Sequence, residues 1–221
     1  MTGLDRHGTG RTGRTGAATP MGQYFDDDPT VASDPVDVTW SLPDGPLVLT
    51  TDRGVFGHGQ IDTGTKLLLV TLDAPPTTGD LLDIGCGTGA IALTMARRSP
   101  AATVWAIDVN RRARELCAAN AARAGLGNVR VVAPDDVPDA VRFAAIWSNP
   151  PIRIGKTALH ELLLRWLGRL APGADAHLVV QKHLGADSLL RWLTEHGHPT
   201  DRIATGAGFR VLRVRAPDDV S

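Results

Sequence analysis

Apolar residues along this 221-residue chain gather into short runs at a near-regular spacing. The runs at 80–84, 103–107, 129–132, 143–148 and 176–181 are close to continuous, as in strands buried on both faces of a parallel sheet. The stretches between them predict helices over 88–98, 111–124, 157–170 and 186–196. Leu116, Leu163, Leu167 and Leu170 take core-facing positions, and Leu170-Ala171-Pro172-Gly173 reads as a helix stop followed by a turn. The end of the chain breaks the rhythm. Arg202-Ile203-Ala204 and Phe209-Arg210-Val211-Leu212-Arg213-Val214 are separated by a short glycine-rich link. They predict a closing hairpin with one antiparallel strand, and Arg210, Arg213 and Arg215 near its surface or ends. The pattern is that of an α/β fold: a mostly parallel sheet with helices on both faces.

Ahead of this alternation, Val36-Asp37-Val38-Thr39-Trp40 and Leu47-Val48-Leu49-Thr50-Thr51 are β-prone runs around the turn signal Pro43-Asp44-Gly45-Pro46. Ile61 to Leu72 predicts a helix capped by Asp62 or Thr63. Residues 1–20 repeat Arg-Thr-Gly and offer little to bury, so a disordered tail is expected there. A β-rich lead-in over 21–60 and one larger domain over 61–216 complete the division, a size suited to a single core.

Composition narrows the class. At 43% hydrophobic and 21% charged residues the chain reads as a soluble globular protein. No apolar run approaches the roughly 20 residues of a membrane span, and no secretory signal opens the chain, so the cytoplasm is the expected compartment. Cys86 and Cys117 suggest neither a disulfide framework nor a metal site. Net charge is −1, yet residues 150–221 carry a positive excess that begins with Arg153 and Lys156. A basic surface of this kind suits a polyanion, although from charge alone ordinary helix-surface arginine is the favoured reading.

Candidate chemistry sits at two strand ends. The run at 80–84 passes into Asp83-Ile84-Gly85-Cys86-Gly87-Thr88-Gly89, a glycine turn before a helix N-terminus that suits a nucleoside cofactor. Its spacing is G-x-G-x-G, not the G-x-G-x-x-G of nicotinamide proteins. Asp108, beside Val109 and after the next strand, is placed to bind ribose hydroxyls. Asp135 follows the strand after that, where it can accept from an adenine amino group. Each acid alone reads equally well as a cap or a solvated loop residue. All three end successive strands on one edge.

The second strand end is Asn149-Pro150-Pro151-Ile152. An exocyclic amine has a delocalised lone pair and is a poor nucleophile. Two acceptors, the Asn149 side-chain oxygen and the Pro150 carbonyl, can take its hydrogens and turn the lone pair toward an electrophilic methyl. Proline's fixed φ holds that carbonyl in a set direction. Orientation and electrostatics then carry the catalysis, with no strong base required.

Together these segments resemble the class I S-adenosylmethionine-dependent methyltransferases, and within them the small-subunit ribosomal RNA guanine-N2 methyltransferases. Thr51-Asp52-Arg53-Gly54-Val55-Phe56, Ile61-Asp62-Thr63-Gly64-Thr65-Lys66 and Asn149-Pro150-Pro151-Ile152-Arg153-Ile154-Gly155-Lys156 carry the closer likeness. Gln23-Tyr24-Phe25, Asp28-Pro29, Val180-Gln181-Lys182 and Gly208-Phe209-Arg210-Val211-Leu212 extend it. The resemblance implies a Rossmann-like, seven-stranded sheet and S-adenosylmethionine as cofactor. Asp83, Gly85, Cys86, Gly87 and Gly89 would hold its methionine end, Asp108 and Val109 its ribose, and Asp135 its adenine. It implies that Asn149, Pro150, Pro151 and Ile152 hold the amine, while Arg153 and Lys156 meet phosphates of ribosomal RNA or the small subunit. The position after Pro-Pro is usually aromatic in amino methyltransferases. Ile152 provides no π-stack.

Other residues are expected only to fold. His160, Glu161 and Arg165 suit surface ion pairing at i,i+4, and His177, His183, His196 and His198 lack metal-ligand spacing. Trp105, Trp147, Trp166 and Trp192 suit packing, whereas Trp40 has no assignment. The leading expectation is methyl transfer to guanine N2. Adenine, protein glutamine or a small amine remain alternatives, as does a cofactor-binding RNA module without turnover. A nicotinamide oxidoreductase is disfavoured by the turn spacing.

Overall fold

The structure, a computed structural model, describes residues 31–216. The tail expected over 1–20 and the segments Gln23-Tyr24-Phe25 and Asp28-Pro29 lie outside these residues. Strands β1 (Val36–Leu42) and β2 (Gly45–Thr51) pair antiparallel as a separate two-stranded sheet, turning at Pro43-Asp44. Alternation sends Trp40, Leu42, Leu47 and Leu49 inward. Helix α1 (Thr63–Thr71) follows, capped by Asp62, whose carboxylate accepts from the Thr65 amide.

Five strands then alternate with helices: β3 (Asp80–Ile84), α2 (Ala90–Arg98), β4 (Thr103–Ile107), α3 (Arg111–Arg123), β5 (Val129–Val132), β6 (Phe143–Ser148), α4 (Lys156–Leu167) and β7 (Leu170–Gln181). Helix α5 (Ala186–Glu195) leads into β8 (Thr200–Gly206) and β9 (Phe209–Arg215). The sheet order is β5-β4-β3-β6-β7-β9-β8, with β9 antiparallel to both neighbours. This is the expected Rossmann-like, seven-stranded α/β fold. Its chain order reverses between β3 and β6, the switch point at which open sheets bind ligands.

Three expectations are corrected. Leu170-Ala171-Pro172-Gly173 is not a turn after a helix. Helix α4 ends at Leu167, and these residues open β7, where the pairing slips between Phe143–Leu170 and Ala145–Asp175. A bulge absorbs the extra residues, and Gly173 takes φ +72° within it. Arg210 lies near the end of β9, as expected, yet does not reach the surface: it is buried and paired with Asp187 of α5. Arg165 pairs with Asp135 at 2.8 Å instead of meeting Glu161 one turn away.

The hairpin β1–β2 shares one core with α1, α2 and α3. Polar contacts fix its register on that core. Asn120 of α3 is buried, and its side chain accepts from the Thr50 amide and donates to the carbonyls of Thr50 and Thr88, each at 2.9 Å. Arg97 and Arg98 of α2 hold Asp44 at the hairpin turn, and Arg98 also reaches the carbonyls of Leu69 and Leu72. Replacing Asn120 with Ala strips three backbone groups of their partner and should cost about 2–3 kcal/mol, read as a shift in the denaturant midpoint.

Asp83 caps α2 from beneath. It is fully buried in β3; Oδ2 accepts from the Ala92 amide at 3.0 Å, while Oδ1 has no partner. Desolvation, opposed by that hydrogen bond and reinforced by the nearby Asp108, pushes its pKa from 3.8 up to about 8. Below pH 3.8 both folded and unfolded chains carry the proton. Between there and about 8 only the folded chain keeps it, so stability should decline as pH rises through this window and level off above it. Asp83→Asn keeps an acceptor for Ala92 and should flatten that decline, which melting temperatures from pH 5 to 9 will measure.

Candidate active site

The glycine turn after β3 is tied to the end of β4. The amides of Gly85 and Cys86 both donate to the Ile107 carbonyl at 2.9 Å, and the Gly87 amide donates to Asp108 Oδ2 at 3.0 Å. Asp108 Oδ1 accepts from the Asn110 amide, and burial raises the pKa of this carboxyl above its usual value. Gly85 and Gly87 take positive φ and face the cavities described below. Gly89 is needed for a different reason from the one expected. A Cβ there would stand 2.7 Å from Leu93 and 2.8 Å from the Cys117 thiol, so it serves the packing of α2 on α3 and lines neither cavity.

Two cavities meet at this edge. The larger, about 500 Å³, runs from Gly85, Asp108 and Val109 past Asn149 and Pro151 to Glu161 and Arg165 of α4. Its apolar wall includes Ile84, Ile107, Ile154 and Leu162. The smaller, about 40 Å³, lies between Trp40, Asp62, Thr65, Cys86 and Thr88. Gly85, Gly87, Asn149 and Phe56 border both.

Asn149 stands at the junction. Its Nδ2 donates to Asp62 Oδ1 at 2.8 Å and to Thr65 Oγ1 at 3.0 Å, and Oδ1 has no partner among the described residues. Pro150 is buried, and its carbonyl accepts from the Ile152 amide at 2.8 Å in a γ-turn centred on Pro151, at φ −72° and ψ 75°. One lone pair of that carbonyl is therefore already used. Ile152 is half-buried, packs against the core as Ile154 does, and borders neither cavity; Pro151 and Ile154 line the larger one.

Asp135 departs from its expected place. Its side chain is 89% exposed and held outward by Arg165, which also bonds the Pro134 carbonyl. Pro134 and Arg165, not the Asp135 carboxylate, close that end of the larger cavity. Asp83 lies under the turn and borders neither cavity. Arg153 and Lys156 are exposed and outside the cavity walls.

Sequence reasoning did not give site roles to Trp40, Phe56, Asp62, Thr65 or Glu161. Period-2 alternation in β1 does place Trp40 inward. The lone aromatic between Gly54 and Gly57 marks Phe56, which is 59% exposed on a loop pinned by Asn110 to the Gly54 carbonyl. Nothing local marks the bonds from Asp62 and Thr65 to Asn149.

The donor set discriminates among ligands. Trp40 lines the smaller cavity and its Nε1 is buried without a partner among the described residues, and Thr65 keeps its own hydroxyl proton while accepting from Asn149. These donors suit a carboxylate. At the other end Asp108 retains lone pairs for hydroxyls, across an intervening apolar wall. An amino acid joined to a nucleoside, as in S-adenosylmethionine, fits this order of groups.

Residues 46–213 match the methyltransferase small domain family. The chain is 32% identical over 195 residues to YbxB of Bacillus subtilis, covering 87% of this chain and 97% of that one. It is 39% identical over 183 residues to ribosomal RNA small subunit methyltransferase C of Pseudomonas aeruginosa, covering 80% of this chain and 54% of that one. The chain thus spans about half the length of the curated ribosomal RNA methyltransferases it matches. Among solved structures, a T. thermophilus 16S rRNA N2 G1207 methyltransferase in complex with AdoMet and guanosine superposes with a TM-score of 0.70 at 21% identity, over 85% of this chain and 52% of that one. Fold, site and sequence likeness agree: the chain belongs to the methyltransferase small domain family of S-adenosylmethionine-dependent methyltransferases.

Proposed function

We propose that this chain methylates guanine N2 in small-subunit ribosomal RNA. The observation that carries the reading is Asn149 Oδ1, held free at the junction of the two cavities while its amide nitrogen is anchored. The bound cofactor supplies the electrophilic methyl. Asp108 receives the ribose hydroxyls, and Trp40 and Thr65 meet the carboxylate. Asn149 Oδ1 and the remaining lone pair of the Pro150 carbonyl accept the two amino hydrogens, which turns the nitrogen lone pair toward the methyl.

Ile152, the expected contact for the target base, is half-buried and borders neither cavity. Phe56 takes over that role in this reading, being the single aromatic among the residues that border the larger cavity. Base–aromatic stacking is worth about 1–3 kcal/mol. Arg153, Lys156 and Lys182 are exposed at the carboxyl ends of the adjacent strands β6 and β7, and meet RNA phosphates outside the cavity. Such a target places the protein in the cytoplasm.

Transfer of labelled methyl to small subunits from a strain lacking the gene, followed by nucleoside analysis, tests the function. Label in N2-methylguanosine is expected; label in another nucleoside or in protein would move the assignment to that amine. Asn149→Ala should lower the single-turnover rate about 10²–10³-fold while the cofactor dissociation constant stays within a few-fold. Phe56→Ala should raise the half-saturating RNA concentration about tenfold and leave cofactor affinity unchanged, with Phe56→Trp close to wild type.

A further inference from the structure

A primary amide presents an oxygen on one side and an NH₂ on the other, and a rotation of its terminal plane exchanges them. At Asn149 that exchange has a chemical consequence. With Oδ1 toward the acceptor the site receives an amino hydrogen; with NH₂ there, two donor groups face each other. Whatever fixes the amide therefore decides whether the site works.

The contacts that fix it come from 84 and 87 residues earlier in the chain. Asp62 Oδ1 already accepts from the Thr65 amide at 2.6 Å, as the N-cap of α1. A second donor, Asn149 Nδ2, completes its coordination at 2.8 Å. Rotating the Asn149 amide would bring an oxygen against that acceptor. Thr65 Oγ1 receives the other Nδ2 proton, so both amide hydrogens are satisfied in one orientation and neither in the other.

The start of α1 is itself held in place. A Cβ at Gly64 would stand 2.7 Å from the Phe209 ring of β9, so only glycine lets this first turn sit so close to the sheet. The helix packs on β7 and β9. Its cap then arrives beside the end of β6 without strain in the Asp62 backbone, at φ −68° and ψ 122°.

We infer that Asp62 and Thr65 are positioning residues, whose joint task is to lock the Asn149 amide with its oxygen facing the acceptor amine. The inference rests on the proposed role of Asn149. One capping carboxylate thus serves two ends: it starts a helix and sets the polarity of the catalytic amide.

The test compares Asp62→Ser, Thr65→Val and Asp62→Asn, each alone and combined with Asn149→Ala. Serine preserves the cap but is too short to reach Asn149, so helix α1 and the melting temperature should be retained. Asp62→Ser should lower the single-turnover rate about tenfold or more, with cofactor affinity within twofold, and Thr65→Val should lower that rate similarly at saturating cofactor. Asp62→Asn keeps an acceptor oxygen and should restore most of the rate. In the Asn149→Ala background neither substitution should cost anything further. An undiminished loss in that background, or a cofactor dissociation constant that weakens in step with the rate in Asp62→Ser, overturns the inference.

A second readout needs neither cofactor nor acceptor. The Asn149 side-chain amide pair is identified in nitrogen-15 spectra by its absence from Asn149→Ala. It should be resolved and slow to exchange in the wild-type protein, and shifted and fast to exchange in Asp62→Ser. An unchanged pair in Asp62→Ser refutes the lock. Failure of the wild-type protein to methylate small subunits instead removes the proposed function, with the spectra still deciding the amide's orientation.

Discussion

Asn120 is the contact on which the arrangement of this site depends. Its side chain saturates the amide and carbonyl of Thr50 in the lead-in hairpin and the carbonyl of Thr88 in the glycine turn. A sheet of the β3–β7 type supplies one half of a ligand site at its carboxyl edge, and the other half must come from outside. Here that half is the hairpin, the 52–60 loop and the first turn of α1. Buried polar bonding to the turn, supported by Arg97, Arg98 and Arg123, determines where they stand. Since each backbone group at this seam would be costly to bury unpaired, the docked position is well defined. Trp40 and Phe56 inherit that position.

Much of the fold was legible because its determinants are local. Continuous apolar runs located β3, β4, β5 and β6 at their observed limits, and Pro43-Asp44-Gly45 marked the hairpin turn. The start of β7 was hidden by Pro172-Gly173, residues that normally end an element. They are tolerated here because a bulge between β6 and β7 gives them room. The candidate site was legible where strand ends alone define it: Gly85, Gly87, Asp108 and Asn149 all border the cavities. It was not legible where a distant partner redirects a side chain. Arg165 holds Asp135 across 30 residues, and of the residues after the γ-turn at Pro151 it is Ile154, not Ile152, that lines the larger cavity. Helical and strand periodicity contain no information about either event.

The charge pattern shows the same limit. The arginine-rich C-terminal third suggested a broad basic surface, yet Arg210 is spent on Asp187, and Arg213 and Arg215 share Asp201. These pairs tie β8 and β9 to their surroundings and leave little field for a polyanion. On the proposed reading, RNA contact then falls to the exposed Arg153, Lys156 and Lys182 at the carboxyl ends of β6 and β7.

Asp108 explains why such a site favours its ligand. Two carboxyls ending neighbouring strands are desolvated, and Asp108 raises the pKa of Asp83 further. In the ligand-free protein this is an unfavourable concentration of negative charge, relieved in part by protonating Asp83. On the proposed reading, a ligand that brings hydroxyls to Asp108 replaces its lost hydration, while Asp83, neutral below about pH 8 and set beneath the turn, serves to cap α2 and adds no charge at the cavity.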